Sequence, residues 1–126
     1  MTLSDNQIIH DWHEALNSGD IDRLVALCHE DVELGGPRGT ERGTDHLRAW
    51  AGRAGLHLDP LRVIGSTGVF VIEQAARWPE RAAGNPGELQ VLATVFRVTD
   101  GRVGSIIRYP DLESALAEAG PDLTEE

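Results

Sequence analysis

The sequence predicts a single α+β domain in which helices and an antiparallel sheet form separate layers. Apolar residues recur at helical spacing as far as Ala54, and period-two patterning takes over from Val69 to Tyr109. Helices therefore precede strands instead of alternating with them, which is the order of segregated layers. No internal repeat and no linker divides the 126 residues, a length at which one core buries roughly two thirds of the unfolded surface.

The first helix opens on a capping box, Ser4 with Gln7, and carries Ile8, Ile9, Trp12 and Leu16 as one stripe. Gly19 stops it, and Asp20 caps a second helix whose buried face is Leu24, Val25 and Cys28. Val32–Leu34 reads as a short strand, followed by a Gly/Pro-rich loop over 35–39. Thr44 caps a third helix with Leu47, Trp50, Ala51 and Ala54 on one face, and Gly52 and Gly55 weaken its end. Pro60 precedes an apolar segment, Leu61–Ile64, and the glycines of Gly65-Ser66-Thr67-Gly68 mark a hairpin turn. Three long strands follow, Val69–Trp78, Leu89–Val98 and Val103–Tyr109. The first connection between them, Pro79–Glu88, is a polar loop, and the second is a tight turn on Asp100-Gly101. Pro110 ends the last strand, and Asp111 caps a short C-terminal helix carrying Leu112, Ala115, Leu116 and Ala119. The domain is expected over residues 1–119, with a flexible acidic tail at 120–126.

Composition excludes several functions. A formal charge of −10 opposes nucleic-acid binding, and the eleven arginines, with no lysine, are scattered along the chain. No apolar run reaches the ~20 residues a membrane helix needs. The N-terminus lacks the basic start and apolar stretch of a secretion signal, so a cytoplasmic location is expected. The single Cys28 rules out an internal disulfide and speaks against a thiolate metal site. His10 and His13 are three apart with no matching carboxylate motif, so neither a metal nor any other cofactor is expected.

The late strands are apolar on both faces. Leu92, Phe96 and Val98 alternate with Val91, Ala93 and Val95, and Ile106 opposes Val103 and Ile107. A sheet packed on one side alternates apolar with polar. The second face therefore needs a partner, and the expectation is a homodimer through the outer sheet face.

Three segments carry a family likeness: Ala15–Asp20 running into Leu24–Leu27 and His29–Val32; Arg42-Gly43 leading to Leu47 and Trp50; and Val95–Val103 ending in Tyr109-Pro110-Asp111. In this order they resemble the nuclear transport factor 2-like (SnoaL-like, ketosteroid isomerase-like) superfamily across nearly the whole chain. That resemblance implies a cystatin-like cone, in which a curved sheet wraps three helices around a small-molecule pocket. Ketosteroid isomerase uses an Asp base with a Tyr and a protonated Asp as oxyanion donors. The matching positions here are Gly36, Trp12 and Thr94, so that catalytic set is missing.

Strand parity gives the expected pocket wall: Phe70, Ile72, Gln74 and Trp78 on one strand, Leu92, Thr94 and Phe96 on the next, Ile106 and Arg108 on the last. Trp12 and Trp50 supply the helical side. An apolar, aromatic cavity with few polar groups suits an apolar or weakly anionic small molecule. Arg108, if buried, needs a counter-charge, either Asp111 or an anionic ligand. The leading expectation is a small-molecule-binding domain of unassigned activity. The alternative is a cyclase- or isomerase-type proton-transfer enzyme using Asp111 with Arg108 or His13.

Overall fold

The computed structural model describes residues 5–36, 39–54, 57–65, 68–77 and 89–119. Ser4, Trp78, the 79–88 connection and the 120–126 tail lie outside them. The described elements run α1 (Asp5–Ser18), α2 (Ile21–Ala26), β1 (Cys28–Gly36), β2 (Gly39–Arg42), α3 (Thr44–Ala54), β3 (His57–Ile64), β4 (Val69–Arg77), β5 (Leu89–Thr99), β6 (Arg102–Tyr109) and α4 (Leu112–Ala119).

The six strands form one curved sheet in the order β2-β1-β6-β5-β4-β3. Every neighbouring pair is antiparallel except β1 with β6, which is parallel. The α+β layering agrees with the sequence, and three local readings change. Helix α2 ends before Cys28, which opens β1 and stays buried. The first strand covers nine residues instead of Val32–Leu34. Part of the expected 35–39 loop is strand, because Gly35 pairs with Thr40 and Gly36 with Gly39 across a β1–β2 hairpin.

The turn after β5 follows its chemistry. Asp100 and Gly101 have φ of 51° and 78°, the left-handed pair of a two-residue hairpin loop. A bulge lies just beyond it. Arg97 pairs with Ser105, but Val98 pairs with Val103, leaving Gly104 as the extra residue. The bulge reverses parity, so Val103 joins Ile106 in the inner core instead of opposing it.

Inside the curve, the α1 stripe (Ile8, Ile9, Trp12, Leu16) meets Phe70, Ile72 and Phe96 in the main core. Asn17 ties α1 to the edge strand β3. Its amide Nδ2 donates to the Leu58 carbonyl at 2.7 Å, and its Oδ1 accepts from Leu58 N at 2.9 Å. A side-chain amide thus occupies an otherwise unpaired stretch of sheet edge.

The second apolar face has a partner within the chain. Helix α4 lies across β4, β5 and β6 and packs Ala115, Leu112 and Leu116 against Ile64, Val71, Ala93 and Val95. The eight residues of α4 thus cover part of the face for which the sequence suggested a second copy of the chain. Val91, 49% exposed, remains uncovered. No described helix is long and apolar enough to cross a membrane.

Candidate functional site

A cavity of about 310 Å³ opens between the inner face of the sheet and the helices. Strand β5 contributes Leu92 and Thr94, and β6 contributes Ile106 and Arg108. Helices supply Trp12 and Trp50, whose rings stack at 6.3 Å and 24°. Leu58 from β3 and Leu34, Gly35 and Gly36 from β1 complete the lining. The parallel β1–β6 pairing places Leu34 beside Ile106 and Gly35 beside Ile107, which explains why a strand distant in sequence forms part of the wall. Gly36 puts no side chain there, and a Cβ on it would lie 3.4 Å from the Arg108 carbonyl oxygen.

Six of the expected wall residues therefore line the cavity: Trp12, Trp50, Leu92, Thr94, Ile106 and Arg108. Phe70, Ile72, Gln74 and Phe96 face inward as parity requires but are fully buried and do not line it. The cone is filled at that end. Trp12 lies edge-on to Phe96 at 4.9 Å, and α1 occupies the space a ligand would need.

The polar groups are arranged differently from the expectation. Arg108 is exposed at the rim, not buried, and it makes no ion pair with a described residue. Asp111 is exposed too, and its Oδ1 accepts from the Ser114 backbone N–H at 2.8 Å. That bond, with a second to the Ser114 side chain, holds the carboxyl below its ordinary pKa. Asp111 is the N-cap of α4, and the pairing with Arg108 is not formed.

His13 lies behind the cavity wall, 3% exposed. Its Nδ1 is 2.9 Å from the Ile9 carbonyl and its Nε2 is 2.8 Å from Gln74 Nε2. Gln74 Oε1 in turn accepts from Thr94 Oγ1 at 2.7 Å. Burial is the main cause that lowers the His13 pKa to about 4, so the ring is neutral at pH 7. A neutral imidazole has one donor and one acceptor nitrogen. His13 uses both inside the protein and has none left to act as acid or base on a cavity ligand.

The Trp12 indole N–H is buried with no hydrogen-bond partner among the described residues. It lies near the Cys28 thiol without hydrogen-bond geometry. Burial pushes that thiol up to about 12, the nearby N–H offsetting part of the rise. Among the described residues, no group of three or more His, Cys, Asp or Glu side chains could hold a metal ion.

A curved mixed sheet closed over helices around an internal cavity is the nuclear transport factor 2-like, cystatin-type architecture. The chain belongs to the SnoaL-like domain family, whose model matches residues 9–106. Solved structures agree on the fold. A nuclear transport factor 2-like protein of unknown function from Cytophaga hutchinsonii superposes with a TM-score of 0.76 at 11% identity, over 90% of this chain and 96% of that one. A candidate polyketide cyclase from Xanthomonas campestris pv. campestris gives 0.68 at 20% identity, over 91% and 96%. A LEH-like epoxide hydrolase from M. tuberculosis gives 0.71 at 18% identity, over 90% and 84%. No curated protein matches the chain in sequence.

Proposed function

We propose that this chain is a small-molecule-binding member of the SnoaL-like family whose ligand sits in the cavity lined by Trp12 and Trp50. The observation that carries the reading is the cavity itself. Its volume of about 310 Å³ lies within the range of small-ligand sites, and its walls are mostly apolar and aromatic with a few polar groups. Two tryptophans supply flat, polarisable surface for a ring system. Arg108, at the rim and without an ionic partner among the described residues, suits a carboxylate or other anionic substituent on the ligand's outer end. Structural relatives named for polyketide and epoxide chemistry fit a small organic ligand.

The proton-transfer alternative with Asp111, Arg108 or His13 gains no support from the geometry. Asp111 is committed to the start of α4 and His13 to Ile9 and Gln74.

The test uses 8-anilinonaphthalene-1-sulfonate, an aromatic anion whose fluorescence rises in apolar sites. The expected result is saturable one-site binding, with energy transfer from tryptophan, weakened by both Trp50→Ala and Arg108→Gln. Absence of saturable binding, or binding indifferent to both substitutions, overturns the reading.

A further inference from the structure

One backbone carbonyl determines the proton positions along a chain of three side chains, and the chain ends at the cavity. The Ile9 carbonyl can only accept, so the proton on His13 is at Nδ1. The ring is neutral, so Nε2 is bare and must accept. Gln74 therefore turns its NH₂ toward Nε2, at 2.8 Å. Its carbonyl Oε1 then faces Thr94 and must receive a proton, which only the Thr94 hydroxyl can give, at 2.7 Å. The Thr94 proton is thus spent inside the wall, and a lone pair is all its hydroxyl can offer toward the cavity it lines.

Reversing any one link leaves two acceptors or two donors face to face in a buried site. Gln74 is fully buried, His13 3% exposed and Thr94 4% exposed, so a mismatch at the central amide carries the cost of an unsatisfied buried group. Thr94 also stands directly opposite Arg108 in the β5–β6 register. The two polar side chains of the cavity wall thus have opposite characters: Thr94 accepts, and Arg108 only donates.

Resting on the ligand-binding reading above, we propose that the pocket selects ring compounds carrying a hydrogen-bond donor at their buried end, a hydroxyl or an N–H group, over isosteres that can only accept. Thr94 is the specificity-determining residue, and Gln74 and His13 are positioning residues that hold its proton away from the cavity.

The experiment compares 2-naphthol, which donates, with 2-methoxynaphthalene, which only accepts, by displacement of 8-anilinonaphthalene-1-sulfonate. The expected preference is about tenfold for 2-naphthol, the value of one hydrogen bond retained in a buried site. Thr94→Val, which keeps the shape and removes the hydroxyl, is expected to bring the ratio to about one. Equal affinities in the wild type, or an unchanged ratio in Thr94→Val, overturn the selectivity while leaving the pocket intact. Binding of neither naphthalene nor the fluorescent anion overturns the pocket reading and the proposal with it. If Thr94→Val does not fold, nitrogen-15 NMR of the histidine rings is decisive: an Nδ1–H tautomer for His13 supports the chain of donors, and an Nε2–H tautomer overturns it.

Discussion

Gln74 on β4 and His13 on α1 meet at 2.8 Å, nitrogen to nitrogen. This contact joins two elements 61 residues apart and is satisfied only while the imidazole is neutral. Its pH dependence follows. Unfolded His13 titrates near the ordinary 6.5, and the folded ring titrates at about 4 because of burial. The Ile9 carbonyl and Asp59 oppose that fall, and His10 adds to it. Between these values the unfolded chain holds a proton that the native chain does not, so the stabilisation is complete above pH 6.5 and is lost as pH falls toward 4. The full loss is about 3 kcal/mol. Urea unfolding between pH 7 and pH 4 should show this slope, and His13→Gln should flatten that part of it.

Asp111 predicts a stability effect without a binding effect. Its carboxylate satisfies the Ser114 amide at the start of α4, so Asp111→Ala should lower the Tm by a few degrees. Affinity for the fluorescent anion should not change. A loss of binding in a folded Asp111→Ala protein would restore Asp111 to the site.

Helix α4 shields Val71, Ala93 and Val95. Truncation after Pro110 bares that apolar face beside the already exposed Val91. Sedimentation velocity at micromolar concentration should then show larger species than the full chain forms under the same conditions. An unchanged distribution would mean that α4 is not what covers the sheet.

Gly35 tests the β1–β2 side of the cavity. A Cβ there would run into the Gly39 carbonyl and stand 2.7 Å from Thr40 Cα, both backbone atoms of the paired strand. Gly35→Ala should cost about 1–3 kcal/mol in urea unfolding. It should also weaken probe binding, because the hairpin has to part where it lines the cavity.

Much of the fold was legible because local chemistry and global structure agree. Trp12 and Leu16 lie on the predicted stripe, Asp20 and Asp111 accept the expected capping bonds, and the three late strands are within a residue or two of their predicted bounds. The errors have physical causes. Strand β2 is exposed at all four residues and carries no alternation to read. Directly after Cys28, β1 runs through His29-Glu30-Asp31, polar enough to pass for a loop. Its parallel pairing with β6, which brings Leu34, Gly35 and Gly36 to the cavity, is a long-range event with no local signature. Period two correctly turned Phe70, Ile72 and Phe96 inward, but it cannot show how far α1 penetrates the cone. The bond from Gln74 to His13 depends on that same depth. A coarse sign was available in two polar residues placed on otherwise apolar inner faces.

The most direct test of the central claim is an amide and indole NMR titration with 2-naphthol. Binding in the cavity should give saturable shifts of the Trp12 and Trp50 indole N–H signals and the Thr94 amide, with little change in the separate surface cleft at His10, Asn17 and Pro60. Shifts confined to that cleft, or none at saturating ligand, would contradict it.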